Sequence, residues 1–503
     1  MQLSRHLMAM LTTDGDDVAV DCGGDTRSWG DLRRTGDAID AALKRGGIER
    51  GGRVAVLARN RPAHYAAMAN LLATERTIVT VNPLLGQHRL VEDLETLGVA
   101  AVIAASSDLA SDAVRAVARE SVGVIIELTD DIDDPVRSKL ADGGRVASLE
   151  PAVAVEMLTS GTTGPPKRVP ISYRTLERSL DNILQHHFGS RVLELRHRRS
   201  VTILTAPPVH MSGFYASLRT LVEGRVAVQL ERFETGAWID AIRRHRPVAA
   251  SLVPAAIRMI LDSDAERADL ESLRILTSGA APLPVEVAQA FYERFGIPIL
   301  ASYGATEFAG AVVGWNLDDH ERWGASKVGS VGRPHPGTEV RVVDADGADV
   351  TPGAVGLLEI RSDQVPSGGW VTTSDLASVD DDGFVWIRGR ADGAINRGGY
   401  KIVPADVAGA LERHPAVREA AVIGAPDERL GQVPVAFVEL KSDIEHVDGT
   451  SLREFVRGHL TPYETPVQVH VLSALPRTAS MKVCEADLRA LLDDSPDVPE
   501  GRR

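Results

Sequence analysis

A run of hydroxyl-bearing and glycine residues, closed by a lysine, directly follows a strand-like segment at 153–158. Glycine lets a backbone approach phosphate oxygens closely, hydroxyls add hydrogen-bond donors, and a lysine adds positive charge. The order of these residues predicts a phosphate-binding loop made of Thr159, Ser160, Gly161, Thr162, Thr163, Gly164 and Lys167. A plain surface loop rich in serine, threonine and glycine would explain the composition but not this order.

The predicted loop differs from a Walker A loop. The spacing from Gly161 to Lys167 is wrong for that motif, and Arg168 stands where a serine or threonine should follow the lysine. We therefore expect phosphate binding by another kind of nucleotide site.

The segments around this loop alternate between two periodicities. Up to about residue 325, short β-branched segments precede helical ones, as at 54–57 and 62–72. This alternation predicts parallel sheets joined by crossover helices. From 326 to 389, short strands separated by glycine, proline and Asp-Gly pairs predict a small antiparallel, β-barrel-like subdomain.

A third pattern follows this subdomain. Pro404 is typical of a helix start, and strand-like segments lie at 420–423 and 433–440. The expected fold class is therefore α/β, with a large N-terminal domain at 1–389 and a smaller α+β domain at 393–503.

The composition is that of a soluble globular protein, with 44% hydrophobic and 25% charged residues. The formal net charge of -15 argues against a protein that holds nucleic acid or an anionic membrane by bulk electrostatics. Two cysteines, Cys22 and Cys484, are too few for a disulfide framework. No apolar stretch approaches the roughly 20 residues that span a bilayer. We expect a cytoplasmic protein with no nucleic-acid partner and no membrane span.

Four further segments follow the loop, at 302–307, 372–375, 389–392 and 476–482. They read SYGATE, TTSD, GRAD and PRTASMK. Together with the loop, and in this order, they resemble the motifs of the adenylate-forming superfamily, which includes acyl-CoA synthetases, peptide-synthetase adenylation domains and luciferase. The chain resembles an AMP-forming acyl-CoA ligase most. The resemblance covers most of the chain and implies that the C-terminal domain moves about a hinge at 390–392, with Asp392 as the hinge residue.

The resemblance also implies a nucleotide site. Thr306 is expected near the α-phosphate, and Glu307 is expected to help hold Mg²⁺, since a carboxylate beside phosphates suits a hard cation. Open parallel sheets bind ligands beyond the carboxyl ends of their strands, which favours one crevice for these segments. The remaining nucleotide residues implied are Gly279, Ala280, Ala281, Ser302, Tyr303, Gly304 and Ala305. Taken alone, Glu307 would be an ordinary solvated loop carboxylate.

Asp375 and Arg390 permit a geometric prediction. The Asp382-Gly383 pair is typical of a two-residue hairpin turn, and such a turn places Asp375 opposite Arg390 on the same face. The resemblance implies that Asp375 accepts the ribose hydroxyls and that Arg390 also binds the nucleotide. The alternative is a plain cross-strand ion pair.

Lys482 is expected to carry the first half-reaction. A fixed ammonium near both reactants stabilises the negative charge that gathers when a carboxylate attacks the α-phosphorus of ATP. Outside its motif, Lys482 would be an ordinary exposed lysine. Met481 stands where the family commonly has glycine, and a left-handed backbone there would cost a methionine roughly 1–2 kcal/mol. Arg168 and Ser374 also stand where glycine is common in the family, Gly393 stands where an acidic residue is common, and Asn396 replaces a frequent lysine.

For the second half-reaction, the resemblance implies that rotation about Asp392 brings Gly398, Gly399 and Tyr400 to the pantetheine arm of CoA. On local sequence alone, the two glycines are equally consistent with a tight turn.

The acyl pocket is implied to include His210 and Gly304. A lone histidine is as often a structural residue, so both interpretations of His210 stay open. No aspartate lies between 206 and 214, where amino-acid-activating relatives place one. This argues against an amino acid substrate.

The leading hypothesis is an AMP-forming acid:CoA ligase that uses ATP, Mg²⁺ and coenzyme A to activate an uncharged or weakly polar carboxylic acid. One alternative is a free-standing adenylating enzyme that loads a carrier-protein thiol. Another is a catalytically degenerate protein that binds nucleotide or acyl-CoA as a regulator. The sequence does not fix the acid, and it leaves a homodimer open.

Overall fold

The computed structural model describes residues 2–13, 15–85, 87–129, 131, 133–140, 152–159, 167–189, 193–365, 367–391, 393–397, 400–427, 430–442, 444, 447–478 and 481–493. Within these residues, no helix is long and apolar enough to cross a membrane.

The α-helices occur throughout the chain, and short 3₁₀ turns lie at Asp108–Ala110, Arg267–Leu270 and Thr306–Phe308. The helices are α1 (Leu3–Thr12), α2 (Trp29–Arg45), α3 (Pro62–Ala73), α4 (Gln87–Thr96), α5 (Asp112–Ser121), α6 (Tyr173–Phe188), α7 (Met211–Val222), α8 (Thr235–His245), α9 (Pro254–Leu261), α10 (Val285–Phe295), α11 (Leu317–Trp323), α12 (Pro404–Glu412), α13 (Gly449–Arg457) and α14 (Glu485–Asp493).

The strands are β1 (Val18–Cys22), β2 (Asp25–Ser28), β3 (Arg53–Leu57), β4 (Thr77–Val81), β5 (Ala101–Ala105), β6 (Val124–Leu128), β7 (Val136–Leu140), β8 (Val153–Thr159), β9 (Lys167–Ser172), β10 (Val201–Leu204), β11 (Val226–Gln229), β12 (Ala249–Ser251), β13 (Ile275–Ser278), β14 (Ile299–Ala305), β15 (Gly310–Gly314), β16 (Arg333–Pro334), β17 (Thr338–Val343), β18 (Gly356–Ser362), β19 (Val371–Val379), β20 (Val385–Arg390), β21 (Ile395–Arg397), β22 (Tyr400–Ile402), β23 (Val417–Asp427), β24 (Gly431–Leu440) and β25 (Gln468–Leu472).

The chain forms two compact units: Met1–Thr338 with Arg361–Gly369, and Glu339–Ile360 with Trp370–Arg503. The first contains a seven-stranded sheet in the order β7-β6-β5-β3-β4-β8-β9, a four-stranded sheet, β10-β11-β1-β2, and a five-stranded sheet, β12-β13-β14-β15-β16. Its largest core cluster includes Trp29 and Phe214, both almost fully buried. The predicted domain boundary at 389 stays a prediction.

The α/β fold class is confirmed, and the predicted parallel pairing holds in the sheet centres. Strands β6, β5, β3, β4 and β8 are mutually parallel, as are β12, β13 and β14. At the sheet edges, β7, β9 and β15 run antiparallel to their neighbours. These strands follow short connections, and antiparallel pairing needs no crossover helix.

The second unit contains two sheets. Strands β17 to β20 form a four-stranded sheet in chain order, which corresponds to the small antiparallel sheet predicted after residue 326. The other sheet has the order β22-β21-β24-β23, and β25 pairs with β24. Pro404 occupies the first turn of α12, as predicted, and Val407 and Leu411 bury the same face of this helix.

Helix α6 begins immediately after β9. The Ser172 hydroxyl caps it by accepting a hydrogen bond from the Thr175 amide at 3.0 Å, and Gly189 ends it in a left-handed conformation. Its buried stripe includes Leu176, Leu180 and Ile183, spaced as one helical face requires.

Candidate active site

The predicted phosphate loop connects two antiparallel strands. Thr159, the last residue of β8, pairs with Lys167, the first residue of β9. The loop therefore starts and ends at one point of the seven-stranded sheet, and Lys167 is exposed there. Residues Ser160, Gly161, Thr162, Thr163 and Gly164 lie outside the described residues.

Arg168 ties β9 to neighbouring elements. Its guanidinium donates hydrogen bonds to both carboxylate oxygens of Asp93, at 2.7 and 2.8 Å, and to the Thr80 carbonyl at 2.9 Å. Asp93 lies on α4 and Thr80 on β4. The arginine found in place of the common glycine thus anchors the strand that leaves the loop.

The segment after β13 lies close to β14. Gly279 directly follows the strand, and a Cβ atom at this position would lie 2.9 Å from the Ser302 hydroxyl. That hydroxyl donates to the Ser278 carbonyl at 3.3 Å. Ala280 has a φ of 68°, which lies in the left-handed region, and Ala281 follows it. The structure therefore brings Gly279 and Ser302 together, as the predicted crevice requires.

The motif at 302–305 lies within β14 and not beyond its end, contrary to the simple expectation for a ligand-binding loop. Tyr303 pairs with Val313 of β15, and the register shifts between Tyr303 and Gly304. A Cβ atom at Gly304 would lie 2.1 Å from the Gly310 carbonyl oxygen. Glycine at 304 therefore permits the close backbone approach of β14 and β15.

Thr306 and Glu307 form a 3₁₀ turn after β14 that is anchored by the buried Phe308. The turn ends at Ala309, whose amide donates to the Thr306 carbonyl at 3.0 Å. Glu307 is exposed. Among the described residues, no group of three or more His, Cys, Asp or Glu side chains is arranged to hold a metal ion. One carboxylate with a neighbouring hydroxyl fits Mg²⁺ that is held mainly by substrate phosphates.

His210 is the N-cap residue of α7. Gly213 packs against the preceding turn: a Cβ atom there would lie 2.2 Å from the Pro207 carbonyl oxygen and 2.4 Å from that of Ala206. Gly213, three residues after His210, therefore permits the close approach of the start of α7 to the residues that precede His210.

Asp375 pairs directly with Arg390 in the β19–β20 hairpin, as predicted. The reason given for this pairing is wrong. Val379 pairs with Val385, so the turn has one residue more than predicted, and Arg388 forms a bulge that restores the register before Arg390 is reached. The guanidinium of Arg390 donates to the Ser374 hydroxyl, which gives a role to the serine found where glycine is common.

The loop that carries Lys482 is a tight turn. The Thr478 amide donates to the Lys482 carbonyl at 2.8 Å, and the Met481 amide donates to the Thr478 carbonyl at 2.9 Å. Met481 has a φ of 63°, so the left-handed conformation expected of a glycine is present. Arg477 anchors the turn by bonding the Met481 carbonyl and the Glu419 carboxylate of β23.

Lys482 and Arg390 both belong to the second unit, and the positive charge of Arg390 acts on Lys482. Although Lys482 is exposed as a residue, loss of hydration and the positive charge of Arg390 lower its pKa. The predicted catalytic lysine therefore lies near one of the two predicted nucleotide residues of the hairpin. The other predicted residues, at 159–167, 210, 279–281 and 302–307, belong to the first unit.

Three more predicted residues lie outside the described residues: Asp392, Gly398 and Gly399. Tyr400 is the first residue of β22 and pairs with Arg397. The hinge and the CoA contacts stay predictions.

Sequence reasoning missed two sets of contacts. Asp93, the partner of Arg168, lies 75 positions away and carries no local signal. Ser179 bonds to the turn after Glu307, and Tyr215 bonds to Ser179. Here a signal existed, because Ser179 is a polar residue on the apolar stripe of α6.

Comparisons with known proteins agree with this arrangement. The family model described as AMP-binding enzyme matches residues 9–370, and that of the AMP-binding enzyme C-terminal domain matches 406–482. Sulfoacetate–CoA ligase of Cupriavidus necator is 34% identical over 351 residues, which span 66% of each chain, just under two thirds of that relative's length. The fatty acid–[acyl-carrier-protein] ligase ScoC of Streptomyces coeruleorubidus is 28% identical over 94% of this chain and 92% of its own.

Among solved structures, ATP-bound MatB from Rhodopseudomonas palustris has the same fold, with a TM-score of 0.83 at 23% identity over 97% of this chain and 99% of that one. The two family models follow one another along the chain and include the loop at 159–167 and the segments 302–307 and 476–482, while 372–375 and 389–392 lie between the two matches. The chain belongs to the AMP-binding enzyme family.

Proposed function

We propose that this protein is an AMP-forming acid:CoA ligase, which activates a carboxylic acid with ATP and transfers the acyl group to the thiol of coenzyme A. The observation that supports this most is the grouping of Asp375, Arg390 and Lys482 within one unit. The Asp375 carboxylate lies on the residue paired with Arg390 in the hairpin, and the positive charge of Arg390 acts on the Lys482 ammonium.

In the first half-reaction, an oxygen of the acid attacks the α-phosphorus of ATP. A bond forms between that oxygen and phosphorus, the bond to the bridging oxygen breaks, and pyrophosphate leaves. Lys482 stabilises the charge on the non-bridging oxygens and offsets the repulsion between the two anionic reactants. This role needs the protonated amine, so the lowered pKa of Lys482 limits the reaction at high pH.

Each predicted nucleotide residue has a role in this reaction. The loop 159–167 and Lys167 bind phosphates, Asp375 accepts the ribose hydroxyls, and Tyr303 lies against adenine. Glu307 holds Mg²⁺, which supplies charge neutralisation at the phosphates. Thr306 adds a hydroxyl donor beside the α-phosphate.

In the second half-reaction, the sulfur of CoA attacks the acyl carbonyl carbon. A carbon–sulfur bond forms, the bond to the AMP oxygen breaks, and AMP leaves while the thiol proton passes to solvent. The segment 398–400 guides the pantetheine arm after rotation about Asp392. The acid lies beside Gly304 and His210, and the absence of an aspartate between 206 and 214 favours acids that lack an ammonium group.

A carrier-protein thiol is the second candidate acceptor. It is favoured by the similarity to ScoC, which spans nearly the whole chain. Both candidates share the first half-reaction and differ only in the thiol.

Pyrophosphate release from ATP in the presence of a panel of carboxylic acids tests the proposal. Release that depends on an acid supports adenylation, and its absence with every acid contradicts it. Thioester formation with free CoA then separates the ligase from the carrier-loading enzyme. Lys482→Ala is expected to slow acyl-adenylate formation by about 10² or more, while thioester formation from supplied acyl-adenylate continues. Equal loss in both steps would contradict the role given to Lys482.

A further inference from the structure

A buried serine hydroxyl contacts the turn that follows Glu307, and a tyrosine hydroxyl contacts that serine. Ser179 on α6 is 1% exposed, and its Oγ lies 2.9 Å from the Ala309 carbonyl oxygen and 3.2 Å from the Tyr215 hydroxyl on α7. A carbonyl only accepts, and a serine hydroxyl has one proton to donate. Ser179 therefore donates to Ala309, and the Tyr215 hydroxyl donates to Ser179.

The backbone at this point is in a conformation that needs support. Ala309 has a φ of 53°, in the left-handed region, and Gly310 follows with a φ of 134°, a value available in practice only to glycine. Residues with a Cβ atom adopt the left-handed region at a cost and persist there when the surroundings fix them. The bond from Ser179 is the side-chain contact that fixes the Ala309 carbonyl.

The same two side chains also pack against Gly310. A Cβ atom at this position would lie 3.1 Å from Ser179 Oγ and 3.4 Å from a ring carbon of Tyr215. The turn is therefore held both by hydrogen bonding and by close packing, and both depend on the same pair of residues.

The Tyr215 hydroxyl stays protonated at neutral pH and can therefore donate a hydrogen bond. Burial raises the pKa of Tyr215 to about 12, so its hydroxyl remains a donor to Ser179 throughout the neutral and mildly alkaline range. Within this range, titration of Tyr215 therefore does not break the hydrogen-bond chain from α7 to the turn.

We propose that Ser179 and Tyr215 are positioning residues for the first half-reaction, which hold the turn Thr306–Ala309 so that Thr306 and Glu307 face the nucleotide. The proposal rests on the proposed function for the roles of Thr306 and Glu307. Neither Ser179 nor Tyr215 needs to touch a substrate. Because α7 begins next to His210, the pair also connects the acid-binding segment with the metal-binding turn.

The test compares Ser179→Ala and Tyr215→Phe with Thr220→Val. Thr220 is a matched control, because it is 1% exposed on α7 and its hydroxyl donates to Ala216 within the same helix, away from the turn. The first readout is amide hydrogen exchange of a peptide covering 306–312, measured by mass spectrometry without substrate. It does not depend on which acid the enzyme uses.

We expect exchange at 306–312 to be about five- to tenfold faster in Ser179→Ala, the scale of losing one buried hydrogen bond, and unchanged in Thr220→Val. Unchanged exchange in Ser179→Ala, or equal acceleration in Thr220→Val, overturns the proposal. A failure of the proposed function would instead show as absent pyrophosphate release in the unaltered protein, with the exchange result still informative.

The second readout is the Mg²⁺ concentration that gives half-maximal acid-dependent pyrophosphate release. We expect it to rise several-fold in Ser179→Ala and Tyr215→Phe, while the KM for the acid changes less. The double variant should resemble Ser179→Ala, because the two residues act in series. Faster exchange with an unaltered Mg²⁺ requirement would show that the pair supports the backbone without positioning Glu307, and would overturn the proposal.

Discussion

Met481 and Gly383 occupy equivalent positions in two segments that are closed by the same pattern of backbone hydrogen bonds. In each, the residue has a positive φ, 63° for Met481 and 80° for Gly383, and its amide donates to the carbonyl three residues earlier. The closing bonds are also alike, from Asp380 to Phe384 and from Thr478 to Lys482. Glycine at 383 suits this conformation, whereas methionine at 481, next to Lys482, does not.

Met481→Gly is therefore expected to remove roughly 1 kcal/mol of backbone strain from the loop that carries Lys482. If the populated loop conformation limits adenylation, single-turnover acyl-adenylate formation should become about fivefold faster. Gly383→Ala is the converse control and should lower the free energy of unfolding by about 1 kcal/mol. Slower adenylation in Met481→Gly would contradict this account of the loop.

The pH dependence of adenylation should reveal Lys482. Loss of hydration and the charge of Arg390 lower its pKa, so the ammonium is lost at a lower pH than an ordinary lysine would require. The rate of acyl-adenylate formation is expected to fall as the pH rises through this lowered pKa. In Lys482→Arg, which stays charged, the decline should disappear, even if the rate is lower throughout. A decline that persists in this variant would assign it to another group.

Asp375→Asn tests the nucleotide role of the hairpin. The substitution keeps the shape of the side chain but removes the charge that strengthens hydrogen bonds from the ribose hydroxyls, so the KM for ATP should rise about tenfold or more. Asp381→Asn makes the same chemical change on the exposed turn of this hairpin and should leave the KM unchanged. If Asp375 formed only an ion pair with Arg390, stability would fall without a specific change in the KM for ATP.

A double-mutant cycle tests the anchoring of β9 by Arg168. The variants Arg168→Met and Asp93→Asn, and their combination, should show a coupling free energy of about 1 kcal/mol in urea unfolding, because both side chains are mostly buried and the contact is bidentate. The exposed pair Arg137 and Asp134 is the control and should show a smaller coupling. Additive single effects at Arg168 and Asp93 would mean that the ion pair does not anchor the strand.

His64 should make the protein less stable in mild acid. Burial, together with the positive charges of Arg61 and Arg59, lowers the pKa of His64 to about 3. The unfolded chain binds this proton at about pH 6.5. The contribution of neutral His64 to stability is therefore complete above pH 6.5 and is lost as the pH falls toward 3, by about 1.4 kcal/mol per pH unit.

Urea unfolding of the native protein and of His64→Gln at pH 7 and pH 5 measures this loss. The variant should lose correspondingly less stability between the two values. Equal slopes for both proteins would exclude His64 as the group responsible.

Local sequence predicted single elements well and their pairings less well. Pro404 marked the start of α12, and the segment at 153–158 was a strand. The Asp375–Arg390 pairing was right only because two one-residue errors cancelled. Asp-Gly suits a two-residue turn and also a three-residue turn with glycine in the left-handed position. The residues around Arg388 do not indicate a bulge.

Site residues that belong to a motif could be predicted from the sequence. Residues far away along the chain that hold such a motif in place could not. The segment 302–307 was identified from its residues, but the contact of Ser179 with Ala309 joins positions that are 130 residues apart. Such contacts depend on how helices pack, which a single sequence does not encode locally. A polar residue on an apolar helix stripe is the exception, since burial obliges it to find a partner.

The absence of a side chain at Gly310 has a practical consequence for altering the acid that such an enzyme accepts. Exchanging α7 alone with a relative would bring a new neighbour against Gly310 while Ser179 stayed unchanged, leaving either a clash or an unfilled space. Chimeras should therefore take α6, α7 and the turn at 306–310 from the same parent protein. Chimeras that take these segments from different parents should fold but show little turnover.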